Sequence, residues 1–432
     1  MQALPSEIME HLLELRSQAK GVSIDTRVDL KDQIYVAIQG ANFDGNEFVA
    51  HALHAGAVHA ITSDPSWREH ADVTVVSDTL DALQQFALAY RNTWSCPVLA
   101  MTGSNGKTTT KELIRDVLAT TFKVHATAGN LNNHIGVPLT LLNAPNQPEF
   151  VVVEMGANHQ KEIQALAQMA LPSHGYITNI GLAHLEGFGG EEGVYLGKKE
   201  LFDHLKMSGG TAFVQSSDEK VLRAAEGIQV QVDVAKQKWQ WKALQEGGAV
   251  VSSGDGFAFP VNLEGKYNLS NVIAALAIGE HFGVPRNLAI AALSAYVPVN
   301  HRSQAVNTEH NWVLLDAYNA NPSSMTHAVT DFLERAHPFP LLVLGDMAEL
   351  GDASERAHED LVELVTNSDV DLWTVGQWFG KIHASQPKKA KWRHFERCDD
   401  VVTHLEKTLL RGRQILIKGS RSIGLERLMP NL

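Results

Sequence analysis

Short apolar runs recur along the chain, separated by segments that carry apolar residues at helical spacing. Residues 1–95 hold such runs at 34–38 and 73–77, and a helical pattern follows them over 80–90. Near-continuous apolar strands that alternate with helices are typical of a parallel sheet with both faces covered. The pattern therefore predicts an α/β fold, with a small α/β domain in this first part of the chain.

The middle part of the chain, residues 96–300, opens with an apolar strand, a glycine-bearing turn and a helix. Apolar runs then recur at 150–156 and 174–181, which predicts a parallel sheet. Residues 238–265 differ, because their short alternating runs are divided by glycine turns. That pattern is typical of antiparallel strands, and we expect these strands to be added to the parallel sheet.

The last part of the chain, residues 301–432, repeats the strand–helix series. Strands are expected at 312–316, 340–345, 372–376 and 414–419. Helical patterns lie between them, which predicts a separate Rossmann-like α/β domain. The interpretation is three domains over 1–95, 96–300 and 301–432, in line with about 150 residues per domain.

Composition and charge favour a folded protein that acts on small molecules. Hydrophobic residues make up 44% of the 432 residues and charged residues 20%, the balance of a globular chain. The 36 Lys and Arg against 49 Asp and Glu give a formal net charge of −13. An acidic chain is a poor non-specific partner for nucleic acid or anionic membranes, so neither is expected as a partner.

Cysteine usage and the terminal segments favour the cytoplasm. The two cysteines, Cys96 and Cys398, define no disulfide framework, and a reducing compartment is the simplest setting. The first residues lack the basic start and apolar run of a secretory signal. No apolar run approaches the roughly 18 residues that span a bilayer. We expect a cytoplasmic protein without membrane association, and a monomer.

The sharpest local feature is a phosphate loop between an apolar strand and a helix. Glycines let backbone N–H groups approach an anion, and the following helix presents its positive end to phosphate. Lys107 would reach the β- and γ-phosphates, and the hydroxyl of Thr108 or Thr109 would bind Mg²⁺. The loop is short, because Met101 occupies the place of the first glycine of the longer pattern. The candidate ATP-binding residues are Gly103, Ser104, Asn105, Gly106, Lys107, Thr108 and Thr109.

Two residues at strand ends are candidate metal ligands. Glu154 ends one apolar run and His184 follows another, and ligands of open α/β sheets lie beyond the carboxyl ends of the strands. A carboxylate and a neutral imidazole beside a triphosphate suit Mg²⁺. The alternatives are a solvated strand end for Glu154 and an ordinary surface or core histidine for His184. Lys198, in the run GKKE, is by its local pattern an exposed charged helix position.

Several motifs, taken in order, closely resemble the Mur ligases. The chain contains TGSNGKTTTK, VVVEMGANH, ITNIGLAHLEGFG, LLDAYNANPSSM, VLGDMAELG and ILIKGSRS. The resemblance extends from about Gly21 to the end of the chain and touches all three predicted domains. It implies a uridine-nucleotide-binding domain, a P-loop-type ATPase domain and a Rossmann-like domain.

The resemblance implies a role for particular residues at both ends of the substrate. The segment GVSIDTR resembles the part that holds the uridine end, with Ser23, Asp25 and Arg27 as contacts. GNLNNHIGVP resembles the part that faces the muramoyl group, with Asn132 and Asn133 as contacts. The adenine- and ribose-side contacts would be Asn268, Asn271, Arg302, Asp316, Tyr318 and Asn319.

The resemblance also implies a metal site and a modified lysine. Thr108, Glu154 and His184 match positions that coordinate Mg²⁺ in the family. Lys198 matches the lysine that is carbamylated, which would turn an ammonium into an anionic metal ligand. This reverses the reading of Lys198 as an exposed charge, and Lys107, Lys198, His184 and Glu154 become the catalytic candidates.

Two departures from the family pattern bear on these assignments. The usual His-Asn pair is Tyr267-Asn268 here, and an aromatic ring there could still stack. The adjacent Lys198 and Lys199 leave an ambiguity, and Lys198 is chosen because Glu200 and the residues after it then align.

The implied reaction is ATP-driven amide formation through an acyl phosphate. The substrates would be UDP-N-acetylmuramoyl-tripeptide and D-alanyl-D-alanine, with ATP and Mg²⁺ as cofactors. One alternative is a related ligase that adds the third amino acid or acts on folate. The segment GVSIDTR argues against folate, and DAYNANPSSM argues against the third-residue enzyme. A second alternative is a nucleotide-gated binding protein without ligase chemistry.

Overall fold

Three parallel or largely parallel sheets organise the chain, and each lies in a different part of the sequence. The computed structural model describes residues 3–40, 42–244, 247–298, 302–335, 338–366, 368–385 and 391–432. The principal sheets have four, six and six strands, and they define an N-terminal, a middle and a C-terminal region. The predicted α/β class is confirmed.

The N-terminal region is a four-stranded parallel sheet with helices against it. The strand order is β1-β2-β5-β6, and a short hairpin of β3 and β4 lies beside the sheet. The strands are β1 (Gly21–Ser23), β2 (Gln33–Val36), β3 (Gln39–Gly40), β4 (Phe43–Asp44), β5 (His59–Thr62) and β6 (Val73–Val75). The helices are α1 (Ser6–Gln18), α2 (Val49–His54) and α3 (Thr79–Arg91).

Hydrogen bonds at the start of α3 and from α1 hold the N-terminal region in place. Asp78 caps α3 by accepting hydrogen bonds from the backbone N–H groups of Leu80 (2.8 Å) and Asp81 (2.9 Å). On α1 the buried Arg16 guanidinium donates to the Ala144 carbonyl of the middle region (2.7 Å). Apolar residues of both regions then form one continuous core, so the N-terminal region is packed against the middle one.

The middle region is built on a six-stranded parallel sheet of order β12-β11-β10-β7-β9-β8. Its strands are β7 (Val98–Thr102), β8 (Val124–Ala126), β9 (Phe150–Glu154), β10 (His174–Ile177), β11 (Thr211–Val214) and β12 (Val230–Asp233). The helices are α4 (Lys107–Ala119), α5 (Gly136–Leu142), α6 (Glu162–Ala170), α7 (Leu185–Phe188), α8 (Glu191–Ser208) and α9 (Glu219–Ala224). Strand β7 lies between β9 and β10, so the ends of these three strands meet at one edge.

The predicted antiparallel strands exist, but they are not added to the parallel sheet. They form a separate three-stranded sheet of β13 (Trp239–Ala243), β14 (Ala249–Ser253) and β15 (Ala258–Val261). The apolar face of that sheet packs against α10 (Leu269–His281) and α11 (Arg286–Ala295). Alternation correctly predicted antiparallel strands, but the expectation of a shared sheet was wrong, because the new sheet packs on the helices α10 and α11 rather than pairing with the parallel sheet.

The C-terminal region is a six-stranded sheet of order β16-β17-β21-β18-β19-β20, antiparallel only at β16. Its strands are β16 (Gln304–Asn307), β17 (Trp312–Asp316), β18 (Pro340–Gly345), β19 (Asp371–Val375), β20 (Trp392–Phe395) and β21 (Gln414–Lys418). The helices are α12 (Pro322–Glu334), α13 (Ser354–Thr366), α14 (Gln377–Ser385) and α15 (Cys398–Lys407). Separate apolar clusters cover the two faces of the sheet. Across the described ranges, no helix combines the length and the apolar character needed to cross a bilayer.

Stability should fall as the pH drops from about 6.5 to 4, because a buried histidine must charge. Burial lowers the pKa of His59 to about 4, and its ring contacts Thr74 at 2.8 Å. Over this window the unfolded chain binds the extra proton and the folded chain does not, so stability is lost as the pH falls. We expect His59 alone to cost about 2–3 kcal/mol by pH 4, measured from urea unfolding midpoints. The His59→Asn protein should lose less stability over the same pH range. A pH dependence of the unfolding free energy equal to that of the wild type would contradict the role of His59.

Candidate active site

The phosphate loop joins β7 to α4, as the sequence predicts, and two of its glycines are required by geometry. Gly103 has φ +148° and Gly106 has φ +76°, and side chains rarely adopt such angles. A Cβ at Gly103 would lie 1.9 Å from the Thr178 hydroxyl, and one at Gly106 would lie 2.7 Å from the Asn271 amide oxygen. The loop is therefore pressed closely against its neighbours and has room only for glycine at both places.

The segment after β10 holds the loop from behind. Asn105 donates its backbone N–H to the Asn179 side-chain oxygen (3.0 Å), and Thr178 Oγ1 donates to the Asn105 carbonyl (2.6 Å). Ser104 Oγ accepts the Gly181 N–H (2.9 Å) and lies at the same distance from the Gly181 carbonyl. These bonds fix the loop before any ligand binds, which is the preorganisation that an anion site needs.

Lys107 lies over its own loop. Its Nζ donates to the carbonyl of Gly103 (2.7 Å) and lies 3.4 Å from the carbonyl of Ser104. Burial lowers the pKa of this ammonium, while the Glu154 carboxylate raises it. A partly buried cation held over a glycine loop is a ready partner for the oxygens of a transferring phosphate.

Glu154 offers a free oxygen beside the loop. The residue ends β9, next to β7, and is 1% exposed. Its Oε1 accepts from Thr108 Oγ1 (3.2 Å) and from the Asn132 amide (2.8 Å). Its Oε2 is buried and, among the described residues, has no hydrogen-bond partner. An orphaned carboxylate oxygen next to a hydroxyl is the donor set that suits a hard cation such as Mg²⁺.

The protein side chains alone do not form a full metal cage. In the described part of the chain, no group of three or more His, Cys, Asp or Glu residues is arranged to hold a metal ion. Mg²⁺ is usually held by one or two carboxylates together with phosphate oxygens and water. Glu154 and Thr108 thus fit a metal that arrives with a nucleotide.

Lys111, which the sequence analysis missed, is a buried partner of Glu154. Its Nζ donates to the Thr127 carbonyl (2.6 Å), pairs with Glu112 (2.9 Å) and lies 3.8 Å from Glu154 Oε2. Lys111 is fully buried, one turn after Lys107 on α4. The available signal was its position three and seven residues before Ile114 and Leu118, on the apolar stripe of the helix.

Replacing Lys111 with methionine should destabilise the protein strongly. The substitution keeps the apolar stem but leaves Glu154 without its buried cation and the Thr127 carbonyl without its donor. We expect a loss of about 3–5 kcal/mol in the free energy of unfolding, from urea titration followed by circular dichroism. Lys123→Met, at an exposed position after the same helix, is the control and should change stability by less than about 0.5 kcal/mol. Equal effects of the two substitutions would contradict the pairing.

His184 and Lys198 lie close enough to Lys107 to share its electrostatic environment. Burial lowers the pKa of His184, and the Lys107 and Lys198 ammonium groups lower it further, while Glu349 raises it. His184 precedes α7 in a left-handed conformation (φ 54°), and its Nδ1 hydrogen-bonds the Glu349 carboxylate. The structure thus brings His184 toward the loop, as the sequence predicts for a residue that follows β10.

Lys198 is a buried lysine without a polar partner. It lies inside α8 at 1% exposure, with its Nζ 5.1 Å from the centre of the Phe188 ring. Among the described residues it has no hydrogen bond or ion pair. Burial moves the pKa of Lys198 well below its usual value, and the Lys107 ammonium adds to the shift. By contrast, Lys199 pairs with Asp203 and is 30% exposed.

Asn268 and Asn271 connect the start of α10 to the phosphate-loop helix. Asn271 accepts from Thr110 Oγ1 (3.0 Å) and donates to the Asn268 side-chain oxygen (2.7 Å). Asn268 in turn donates to the Glu264 carbonyl (2.7 Å). The unusual Tyr267 hydroxyl lies 2.7 Å from Ser303 Oγ, so it links the middle region to the C-terminal one.

The C-terminal candidates form a second cluster. The Arg302 guanidinium stacks 3.6 Å from the centre of the Tyr318 ring. Asp316 accepts from the Ser303 backbone N–H (3.1 Å) and from Lys418 Nζ (2.5 Å). Lys418, which the sequence analysis missed, is buried at the end of β21 beside β17, and only the strand pairing reveals it.

Asn319 belongs to this cluster, and the nearby Asn321 connects the cluster to the phosphate loop. Asn319 Oδ1 accepts the Ala320 N–H (2.9 Å). Asn321, at the start of α12, donates its amide to Asn105 Oδ1 in the loop (2.8 Å). The C-terminal region is therefore docked on the loop that it would close.

A cavity of about 1380 Å³ joins these groups. Its lining includes all the candidate nucleotide residues except Gly103, together with Glu154, His184 and the two asparagines Asn132 and Asn133. It extends to Asp81 and Leu88 on α3 of the N-terminal region. The described lining does not include Lys198. A cleft of this size at the meeting of three regions can hold a nucleotide and an extended second substrate.

The candidate uridine contacts lie apart from this cavity. Asp25 accepts two hydrogen bonds from the Arg27 guanidinium (2.8 and 2.7 Å), which lower the pKa of Asp25 to about 2. Ser23 Oγ accepts the Asp25 N–H (3.1 Å). None of the three is among the described residues that line the cavity. Asn133 faces the cavity, and its side-chain oxygen accepts the backbone N–H of Gly136 at the start of α5 (2.8 Å).

Family models match the middle and C-terminal regions. The Mur ligase middle domain matches residues 101–279, and the Mur ligase glutamate ligase domain matches residues 301–421. The UDP-N-acetylmuramoyl-tripeptide–D-alanyl-D-alanine ligase of Bacillus subtilis is 35% identical, over 95% of this chain and 93% of that protein. The ligase of the same name from Escherichia coli is 32% identical, over 95% of this chain and 93% of that protein.

Solved structures of similar proteins agree with the sequence relatives. A crystal structure of MurF from Acinetobacter baumannii has a TM-score of 0.84 at 28% identity and covers 98% of each chain. The MurF ligase from Thermotoga maritima in complex with ADP has a TM-score of 0.82 at 25% identity and covers 97% of each chain. The sequence resemblance is confirmed: this chain belongs to the Mur ligase family, with the UDP-N-acetylmuramoyl-tripeptide–D-alanyl-D-alanine ligases as its relatives.

Proposed function

We propose that this chain joins D-alanyl-D-alanine to UDP-N-acetylmuramoyl-tripeptide at the expense of ATP, in the synthesis of peptidoglycan precursors. The observation that carries the proposal is the cavity that joins the phosphate loop, the C-terminal cluster and Glu154, whose Oε2 accepts no hydrogen bond from the described residues. The names of the curated relatives support the choice of substrates, and they argue against the ligase that adds the third amino acid.

In the first step the terminal carboxylate of the tripeptide would attack the γ-phosphorus of ATP. A bond forms between the carboxylate oxygen and phosphorus, the bond to the β-phosphate oxygen breaks, and ADP leaves. Two anions must approach each other, so positive charge at the transferring group lowers the barrier. Lys107 and the backbone of residues 103–109 supply that charge and hold the phosphates.

In the second step the amine of the dipeptide would attack the acyl carbon. A carbon–nitrogen bond forms, the amine loses a proton to solvent, and inorganic phosphate leaves with the oxygen that came from the carboxylate. Water competes with the amine for the acyl phosphate. The C-terminal region would exclude it by closing on the loop through Asn321, with Arg302 and Asp316 against the nucleotide.

Thr108, Glu154 and His184 would hold Mg²⁺, with Lys198 as a further ligand in carbamylated form. Mg²⁺ supplies positive charge to the phosphate oxygens and orients the two reacting groups. The buried, partnerless Lys198 fits the modification, since an amine with a lowered pKa is neutral and able to react with CO₂. In that reaction the amine nitrogen bonds the carbon of CO₂ and releases a proton, leaving an anion in place of a buried ammonium.

The remaining assignments follow from the substrates. Ser23, Asp25 and Arg27 would bind the uridine end, and Asn132 and Asn133 would face the muramoyl group. We propose domain limits of 1–95, 96–300 and 301–432. The chain would act as a monomer in the cytoplasm, where ATP and a uridine-nucleotide precursor are available, without a nucleic-acid or membrane partner.

A panel of amines tests the substrate assignment. ADP release from the full chain is measured with Mg²⁺, ATP and UDP-N-acetylmuramoyl-tripeptide, adding D-alanyl-D-alanine, a single diamino acid or glutamate. Of the three amines, only D-alanyl-D-alanine is expected to stimulate ADP release. Stimulation by a diamino acid with the corresponding dipeptide precursor would instead indicate the preceding ligase. ADP release that no amine affects would support the nucleotide-gated binding protein.

A further inference from the structure

The segment 345–351, GDMAELG, is a motif without a role in the nucleotide or substrate contacts proposed above. It follows β18 in the C-terminal region and reaches the boundary with the middle region. There Gly351 lies against Glu186, whose backbone N–H is 3.4 Å from the Glu349 carbonyl. The segment therefore forms part of the contact between the two regions.

Three consecutive residues of this segment are fixed from within the C-terminal region. Each is held by hydrogen bonds that involve a backbone N–H group, and the partners come from α13, α14 and the loop after β21. The bonds run from the N–H groups of Trp378 and Phe379 to the Asp346 carboxylate (2.9 and 3.1 Å), from Met347 N–H to His358 Nε2 (2.9 Å), and from Ala348 N–H to Ser420 Oγ (2.8 Å). The next residue, Glu349, is thus presented from a rigid base.

Glu349 and His184 meet across the boundary in unusual backbone conformations. Both are in the left-handed region, with φ 60° for Glu349 and φ 54° for His184. Such angles are costly for residues with a side chain, and they persist where the surroundings impose them, often at functional sites. The result is a hydrogen bond between the Glu349 carboxylate and His184 Nδ1.

The hydrogen bond to Glu349 determines which nitrogen of the His184 ring carries the proton. In neutral imidazole one ring nitrogen carries the proton and the other is an acceptor. A carboxylate at Nδ1 requires the proton there, so the lone pair lies on Nε2. Histidines that bind metals commonly donate their other N–H to a carboxylate, which fixes both the tautomer and the orientation of the ring.

We propose that Glu349 is a positioning residue of the metal site, supplied by the C-terminal region. It holds His184 with Nδ1 protonated and Nε2 free, so docking of the C-terminal region completes the site. Metal binding and closure of the protein are thereby coupled, since each favours the other. This inference rests on the proposed metal role of His184.

The tautomer of His184 is the most direct readout. It is measured by ¹⁵N NMR of the full chain labelled at histidine, without metal, with the resonance assigned from the His184→Gln protein. The Nδ1-protonated form is expected in the wild type and in Glu349→Gln, whose amide oxygen still accepts a hydrogen bond. Glu349→Gly removes the acceptor without strain, because glycine adopts the left-handed conformation freely. An Nε2-protonated His184 in the wild type would overturn the proposal.

Metal affinity provides a second readout. Mn²⁺ binding to the full chain with ADP is followed by electron paramagnetic resonance. Glu349→Gly should weaken binding about 10- to 100-fold, and Glu349→Gln should weaken it less. Glu186→Gln removes a carboxylate charge from the same contact and should leave the affinity unchanged. Equal Mn²⁺ affinity in Glu349→Gly and the wild type would overturn the proposal.

The His184→Gln protein separates this inference from the proposed function. If His184→Gln loses Mn²⁺ affinity while Glu349→Gly keeps it, the positioning role is wrong and the metal role of His184 stands. If His184→Gln keeps full affinity, the metal role itself is wrong, and the inference fails with it.

Discussion

Replacing Lys198 with alanine should lower the rate of ADP release by about 10³-fold, corresponding to about 4 kcal/mol of transition-state stabilisation. The side chain is buried and has no hydrogen bond or ion pair within the described part of the chain, and its carbamate would be a metal ligand. Replacing Lys199 should leave the rate within about twofold, because its ammonium is paired with Asp203 at the surface of the helix. The two adjacent lysines thus form a matched pair, and steady-state turnover at saturating substrates distinguishes them.

The modification itself has an independent signal. With ¹³C-labelled bicarbonate, the wild type and Lys199→Ala should show a carbamate carbon resonance that Lys198→Ala lacks. Loss of activity in Lys199→Ala with retention in Lys198→Ala would transfer the role to the neighbouring residue. Full turnover in both would contradict the metal-ligand assignment altogether.

Replacing Lys107 with alanine should also lower turnover by about 10³-fold, because the cation acts on charge that moves during phosphoryl transfer. The affinity of the Lys107→Ala protein for ADP should change less than its turnover, since ADP keeps the contact at the β-phosphate but lacks the γ-phosphate that is transferred. Turnover is measured by ADP release, and ADP affinity by calorimetry on the same preparation.

The thermal unfolding midpoint of the Lys107→Ala protein is the control for its fold, and it should match that of the wild type. In the wild type the Lys107 ammonium bonds only carbonyls of its own loop among the described residues, so little packing is lost. Turnover within tenfold of the wild type would contradict the assignment of this lysine to the transferring phosphate.

Local patterning was sufficient to predict the main strands and the phosphate loop. The apolar runs at 312–316 and 340–345 coincide with β17 and β18, because a strand buried on both faces must be apolar along its whole length. The loop is equally local, since its glycines, lysine and threonines are contiguous. Glu154 was found from topology, because the strand that it ends lies beside β7.

Features that depend on distant partners could not be predicted in this way. Alternation identified β13–β15 as antiparallel, but it did not reveal which edge or face they would join. The short strand β20 (Trp392–Phe395) at the sheet edge was missed, because its partly exposed residues lack a continuous apolar run. Lys111, Lys418 and Glu349 acquire their importance from contacts with residues far away in the chain.

Isotope transfer distinguishes amide formation through an acyl phosphate from every route in which the carboxylate oxygen stays on carbon. UDP-N-acetylmuramoyl-tripeptide labelled with ¹⁸O in its terminal carboxylate is incubated with the full chain, ATP, Mg²⁺ and D-alanyl-D-alanine. Because the carboxylate oxygen attacks phosphorus and leaves with it, one ¹⁸O atom should appear in inorganic phosphate for each amide formed. Inorganic phosphate without ¹⁸O, or ADP release without amide, would contradict the acyl-phosphate pathway.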